Sequence, residues 1–145
     1  MLDARAILFI DGHDTDRNYY ADRLKLSFPE FVVYQAASGK AGLDLYKSQS
    51  IDCVVLELAL PDISGFEVLF HLVPSSRQPD IAVIVLTNMP NAILLDLALK
   101  NGALAALHKP RTSGDLLEQM VLRAISTVPK DHKRAQEPLG SLRPA

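Results

Sequence analysis

The 145-residue sequence has little cysteine: Cys53 is its only thiol, so no disulfide can form within the chain. Disulfides are rare in cytosolic proteins. We therefore expect a cytoplasmic protein in which Cys53 is a small buried apolar residue. No apolar run reaches the roughly 20 residues of a membrane-spanning helix. Residues 1–11, MLDARAILFID, also lack the basic and long apolar regions of a signal peptide. These absences argue against a membrane protein.

Neither positive nor negative charge dominates the sequence, since 15 basic and 17 acidic residues leave a net charge of −2. This balance argues against nucleic-acid binding by the domain. The hydrophobic fraction of 48% is enough for one domain with a core. Residues 129–145 have three prolines and no apolar period. We expect residues 1–128 to form one domain and residues 129–145 to form a flexible linker or tail.

Several catalytic motifs are absent. The turn after the first apolar run reads DGHDTD, which is neither the glycine-rich turn of a dinucleotide-binding domain nor a P-loop. No G-x-S-x-G elbow occurs, and the four histidines lack metal-ligand spacing. These absences favour a protein that is not an enzyme. An unrelated small α/β cofactor-binding enzyme remains one alternative.

Five apolar runs of strand length alternate with five helical segments. The predicted strands are residues 6–10, 31–36, 53–58, 81–87 and 104–108. The predicted helix N-caps are Asp14 or Thr15, Ser38, Ser64, Asn91, and Thr112 or Ser113. Continuously apolar strands are typical of a parallel sheet covered on both faces. The pattern therefore predicts a doubly wound α/β fold, a three-layer sandwich with a five-stranded parallel sheet.

Four polar residues stand at or just after the ends of predicted strands: Asp11, Glu57, Thr87 and Lys109. The carboxyl ends of parallel strands form the binding crevice of such sheets, so we expect these side chains to converge. Carboxylates hold hard cations such as Mg²⁺, and lysine balances phosphoryl charge. A hydroxyl donates to a phosphoryl oxygen. The set is typical of a site that forms and holds an acyl phosphate.

The chain resembles the receiver domains of two-component response regulators over about residues 4–126. The segments that carry the resemblance are ILFIDGHDTDR, VVLELALPDISGFEVL, IAVIVLTN, KNGALAALHKP and the closing helix. The resemblance implies the flavodoxin-like strand order 2-1-3-4-5.

The resemblance also implies roles for individual residues. Glu57 stands at the phosphoacceptor position, Thr87 and Lys109 match the hydroxyl and lysine positions, and Asp11 matches one member of an acidic pair. Pro61 and Gly65 match the loop after the acceptor. A cis Lys109–Pro110 bond is a further implication.

Four residues depart from the family pattern. Glu57 replaces the aspartate, and its extra methylene moves the carboxylate by about 1.5 Å, one carbon–carbon bond. Gly12 replaces the acid that binds the metal directly, which leaves only Asp11 and Glu57 as side-chain ligands for Mg²⁺. Asn88 stands where the family has a small residue, and Ala106 replaces the switch aromatic. We therefore expect weak Mg²⁺ binding at best.

These departures indicate a degenerate receiver, or pseudo-receiver, that acts through protein–protein interaction. Glu57 then reaches Lys109 and imitates the charge of a phosphorylated aspartate. Two alternatives stay open: Glu57 is only a tolerated acid at an inactive site, or the domain is a functional phosphoacceptor. The resemblance implies a histidine kinase or an output domain as partner.

The fourth helix, NAILLDLALK, is apolar on more than one face. A helix that covers a sheet needs only one apolar stripe. The sequence therefore predicts a partner or self-association surface that includes Leu94, Leu95 and Leu97. Deep burial of the helix is the alternative.

Overall fold

The computed structural model describes residues 5–74 and 81–127. Within these residues, five β-strands alternate with five α-helices along the chain. The strands are β1 (Ala6–Ile10), β2 (Val32–Ala36), β3 (Cys53–Leu56), β4 (Ala82–Thr87) and β5 (Ala105–His108). The helices are α1 (Asp14–Ser27), α2 (Gly39–Ser48), α3 (Gly65–Leu72), α4 (Ala92–Lys100) and α5 (Gly114–Thr127).

The five strands form one parallel sheet in the order β2-β1-β3-β4-β5. Ile10 pairs with Leu56, and Leu56 pairs with Val85, so the central strands end at nearly the same level. The predicted doubly wound sheet and its strand order are confirmed. The strand order reverses direction beside β1 and β3, which places a crevice outside their carboxyl ends.

Both faces of the sheet are buried because successive residues of each strand point to opposite sides. Leu8 and Val54 belong to the core under α2, α3 and α4. Ile7 and Cys53 belong to the core under α1 and α5. This arrangement explains the continuously apolar strands and forms the predicted three-layer sandwich.

Polar N-caps begin most of the helices. The side chains of Ser38, Ser64 and Asn91 accept hydrogen bonds from backbone N–H groups in the first turns of α2, α3 and α4. Ser113 Oγ likewise accepts from the backbone N–H of Leu116 at 3.0 Å. These sequence-predicted caps are confirmed, with Ser113 rather than Thr112 at α5.

The N-terminus of α1 differs from the prediction. The helix begins at Asp14, and its cap is His13, whose Nδ1 accepts from the backbone N–H of Asp16 at 3.3 Å. Asp14 and Thr15 are therefore wrong as predicted caps. His13 has the extended backbone of an N-cap residue, and its ring nitrogen replaces the usual side-chain oxygen.

The remaining observations concern the backbone, the tail and membrane-spanning helices. Gly102 has a φ of 105°, which explains why α4 ends at Lys100. The expected cis Lys109–Pro110 bond is wrong, because residues 5–74 and 81–127 contain no cis peptide bond. The predicted tail, residues 129–145, lies outside the described residues. Over the described part of the chain, helices long and apolar enough to cross a membrane are absent.

Candidate functional site

The four residues predicted from strand ends meet in one buried cluster at the carboxyl edge of the sheet. Asp11 follows β1, Glu57 follows β3, Thr87 is the last residue of β4, and Lys109 follows β5. Each of these residues is at most 7% exposed. Buried polar groups are costly unless they are paired, so the contacts within this cluster decide its stability.

Lys109 is the centre of the cluster. Its Nζ lies 2.6 Å from Asp11 Oδ2, 2.9 Å from Asp16 Oδ2 and 3.2 Å from Glu57 Oε1. An ammonium group has three N–H donors and no acceptor. Three carboxylates therefore surround one cation: Lys109 donates hydrogen bonds to Asp11 and Asp16, and Glu57 adds an ion pair.

Glu57 receives hydrogen bonds from three other groups besides its ion pair with Lys109. The hydroxyl of Thr87 donates to Oε2, which also accepts from the backbone N–H of Ala59 at 3.1 Å. The backbone N–H of Asn88 donates to Oε1 at 3.2 Å. Both oxygens of the Glu57 carboxylate are therefore held, and one side chain links β3 to the ends of β4 and β5.

Asp16 is the site residue that sequence reasoning missed. It lies on the first turn of α1, where its carboxylate reaches Lys109 and also accepts from Asn88 Nδ2 at 3.2 Å. The side chain of Asn88, which stands where the family has a small residue, binds Asp16. The available signal was position: the first turn of α1 lies over the carboxyl edge that Asp11 and Glu57 occupy.

The charges of the cluster perturb two pKa values. Burial alone would lower the pKa of Lys109, but hydrogen bonds to Asp11 and Asp16 and the nearby Glu57 outweigh it and raise the pKa to about 12. Burial would raise the pKa of Asp16, but the hydrogen bond and charge of Lys109 hold that pKa below its usual value. Both groups are charged at neutral pH, so the cluster is ionic.

The loop after Glu57 is held in place at two points. Asp62 accepts hydrogen bonds from the backbone N–H groups of Gly39 and Lys40, at 2.8 and 2.9 Å, at the N-terminus of α2. These bonds, that of Lys40 foremost, lower the pKa of Asp62 to about 2. At Gly65, a Cβ atom would collide with the carbonyl oxygen of Glu57, so only glycine lets α3 begin this close to β3.

The fourth helix divides its apolar residues between the core and the surface. Leu94 and Leu95 are half-buried and pack against the core. Leu97 is exposed, as are Ile93 and Leu99. Of the three leucines predicted as a partner surface, the structure therefore places only Leu97 on the outside of the domain.

The chain belongs to the response regulator receiver domain family, whose model matches residues 7–121. It is 31% identical over 114 residues to the nitrate/nitrite response regulator protein NarL of Escherichia coli K12, which covers 79% of this chain and 52% of that protein. It is 34% identical over 105 residues to the transcriptional regulatory protein AfsQ1 of Streptomyces coelicolor, covering 72% of this chain and 44% of that protein. The chain thus spans about half the length of these curated relatives.

Known structures agree with this assignment. A response regulator receiver domain protein from Clostridium thermocellum superposes with a TM-score of 0.74 at 29% identity and covers 85% of this chain and 95% of that one. The receiver domain of a DNA-binding response regulator from Colwellia psychrerythraea 34H has a TM-score of 0.76 at 21% identity, with coverages of 84% and 98%. The second likeness shows the fold alone. Receiver domains are signalling modules of two-component systems that work with kinases and output domains.

Receiver domains bind Mg²⁺ at the phosphorylation site, but the residues of this site do not fit the ion. Gly12 has no side-chain ligand, and the point where the three carboxylates converge is filled by the ammonium of Lys109. Among the residues that the structure describes, no group of three or more His, Cys, Asp or Glu is placed to hold a metal ion. Mg²⁺ also demands near-octahedral geometry at about 2.0–2.1 Å.

Proposed function

We propose that this domain is an atypical receiver that acts without phosphorylation, with Glu57 in place of the phosphorylated aspartate. One observation carries the proposal: the Glu57 carboxylate is engaged by Lys109 and Thr87, the lysine and hydroxyl that the family's pattern assigns to the phosphoryl group. The site then stays in one state. Asp11 belongs to the same cluster through Lys109.

The length of the glutamate side chain supports this proposal. Glutamate carries its carboxylate about 1.5 Å farther from the backbone than aspartate does, one carbon–carbon bond. A phosphoryl group on an aspartate would likewise place negative oxygens beyond the position of the aspartate carboxylate. Lys109 and Thr87 contact the Glu57 carboxylate at this more distant position. The carboxylate therefore accepts from the donors that would otherwise bind a phosphoryl group.

The same geometry disfavours phosphoryl transfer to Glu57. In-line attack needs reacting atoms placed to about 3–3.5 Å with aligned orbitals. Both oxygens of Glu57 already accept hydrogen bonds, and the side chain is only 5% exposed. With no side-chain metal ligand at Gly12, the charge of an incoming phosphoryl donor would lack its usual counter-ion.

Glu57 as a tolerated acid without a role is the competing interpretation. A carboxylate without a role would not be expected to contact a lysine, a hydroxyl and two backbone N–H groups, and these four groups come from three different strand ends. Convergence of these donors favours a role for Glu57 in holding β4 and β5 in a fixed relation. That relation determines how α4 and β5 face a partner.

We further propose that residues 1–128 act as one receiver domain, with residues 129–145 as its linker, and that output is by protein contact. A family match to residues 7–121, which fall within this range, supports the proposal. The exposed apolar residues Ile93, Leu97 and Leu99 on α4 support a contact surface there.

Backbone amide NMR spectra of the wild type and of Glu57→Gln test the proposal. Gln keeps the size of the side chain but removes the charge and turns one acceptor into a donor. We expect amide signals to shift beyond β3, at Asn88, Met89 and the residues of β5. Glu67→Gln, the same change at an exposed position on α3, is the control and should shift only its neighbours. If the shifts in Glu57→Gln stay confined to residues adjacent to position 57 in the sequence, Glu57 is only a tolerated acid.

A further inference from the structure

Asp16 holds the outer side of the Lys109 cluster. Its Oδ2 accepts from Lys109 Nζ at 2.9 Å and from Asn88 Nδ2 at 3.2 Å, so one oxygen joins α1 to β5 and to the loop after β4. The Asp16 side chain is 28% exposed, whereas that of Lys109 is 5% exposed. Asp16 therefore lies between the buried ammonium and solvent.

Asp16 also makes up for the acid that is missing at Gly12, because it brings the number of carboxylates at the site back to three. With Gly12 in place, the strand ends supply only Asp11 and Glu57. Asp16 comes four residues after Gly12, and the first turn of α1 brings it back over the same edge of the sheet. The site again has three carboxylates, but the third one lies against Lys109 rather than beside Asp11.

The three carboxylates meet a cation that belongs to the chain itself. Their oxygens lie 2.6, 2.9 and 3.2 Å from Lys109 Nζ, and those of Asp11 and Asp16 accept hydrogen bonds from it. The ammonium therefore occupies the point where the three carboxylates converge. A divalent ion could enter this point only by breaking three ion pairs.

We infer that Asp16 is a positioning residue that holds the Lys109 ammonium on Glu57, and that this ammonium takes the place of the divalent cation of the site. The inference rests on the proposed phosphorylation-independent function and deepens it. Asp16 supplies the third pairing partner, which fixes the direction of the lysine side chain. The ordinary metal requirement of the site is thereby removed.

The surface cleft beside the site fits this role. The cleft has a volume of about 370 Å³, and its lining includes Asp16, Asn88 and Lys109 but not Glu57. An anionic phosphoryl donor that enters the cleft meets the Asp16 carboxylate before it reaches Glu57. Like charges repel each other, so the Asp16 carboxylate disfavours the approach of such a donor.

The variant Asp16→Asn tests the positioning role, because Asn keeps the shape of the side chain and removes its charge. Asp14→Asn is the matched control: Asp14 lies on the same helical turn, but its side chain is 74% exposed and pairs with Arg17 rather than with Lys109. The readout is the ¹⁵Nζ NMR signal of the Lys109 ammonium, assigned through bonds to its own backbone amide. A buried ammonium held by three carboxylates exchanges its protons slowly with water.

We expect a sharp Lys109 Nζ signal in the wild type and in Asp14→Asn. In Asp16→Asn the signal should broaden beyond detection or exchange with water at least about tenfold faster, the factor that corresponds to about 1.4 kcal/mol. An unchanged signal in Asp16→Asn overturns the positioning role. That result would leave the proposed function untouched, since the Glu57→Gln spectra test it independently.

Titration of the wild type with MgCl₂ alone tests the cation role. We expect the thermal midpoint and the amide signals of Asp11, Gly12 and Glu57 to stay constant up to about 10 mM Mg²⁺, since a ligand that does not bind the native state does not stabilise it. A saturable rise in the midpoint together with shifts at these amides overturns this part of the inference.

Discussion

The ammonium of Lys109 lies 3.2 Å from Oε1 of Glu57, and each side chain is only 5% exposed. Two residues 52 positions apart in the sequence thus form a buried ion pair at the carboxyl edge of the sheet. Glu57 stands at the end of β3 and Lys109 at the end of β5, with β4 between them. The pair therefore spans the central part of the site, and Thr87 donates to the same carboxylate from the strand between.

Removal of the central cation should destabilise the fold. Lys109→Met keeps much of the side-chain volume but leaves three carboxylates without their shared partner. We expect the free energy of unfolding in urea to fall by about 3–5 kcal/mol, the usual cost of breaking a buried pair from one side. Lys100→Met is the control, because Lys100 forms an exposed pair with Asp96 and should cost less than about 1 kcal/mol. Equal losses in the two variants would contradict the account.

Restoration of the phosphoacceptor needs two changes. Glu57→Asp alone should take up no phosphoryl group from acetyl phosphate and Mg²⁺, because Gly12 still lacks a metal-binding side chain. Gly12→Asp together with Glu57→Asp should become phosphorylated, as intact mass will show. A Cβ atom at position 12 would lie 3.0 Å from Pro61 Cδ and 3.2 Å from the carbonyl oxygen of Ala37, so the change requires small movements of both neighbours. Equal phosphorylation of the single and double variants would refute the role of Gly12.

The stability that the loop after Glu57 contributes should depend on pH, because Asp62 holds this loop through its charged carboxylate. Its pKa is lowered to about 2, so the charged carboxylate contributes stability above its ordinary pKa near 3.8. That contribution is lost as the pH falls towards 2. We expect the difference in unfolding free energy between the wild type and Asp62→Asn to be largest above about pH 4 and to shrink below it.

The control for this titration is Asp44→Asn, which removes one exposed carboxylate from α2. Its effect on stability should not follow the same pH profile, because Asp44 is not bound to the N-terminus of the helix. Urea unfolding at a series of pH values gives both profiles. A pH-independent difference for Asp62→Asn would show that its hydrogen bonds do not depend on its charge.

The sequence predicts the fold and the buried part of the site because both follow from simple periodicities. Continuously apolar strands imply a parallel sheet, and parallel strands end at one edge. Asp11, Glu57, Thr87 and Lys109 could therefore be placed together before their contacts were known. The Glu57–Lys109 contact was also expected, since the glutamate side chain is one methylene longer than that of aspartate and can extend to Lys109.

Residues whose place depends on the phase of a helix could not be predicted. Asp16 was overlooked because the pattern of α1 is weakly amphipathic, so the sequence does not show which side of its first turn faces the sheet edge. In α4, Leu94 and Leu95 pack inward whereas Leu97 points outward. The sequence alone left that division open, because apolar residues occur around the whole helix. The cap at His13 was missed because a ring nitrogen replaces the usual hydroxyl or carboxylate.

Intact mass of the wild-type protein after incubation with acetyl phosphate and Mg²⁺ tests the central claim most directly. The Gly12→Asp, Glu57→Asp double variant serves as the positive control under the same conditions. Because Glu57 already occupies the donors of a phosphoryl group, we predict that the wild-type mass stays unchanged while the double variant gains one phosphoryl group. A stable gain of one phosphoryl group by the wild type, located on Glu57 or Asp11, would contradict the account.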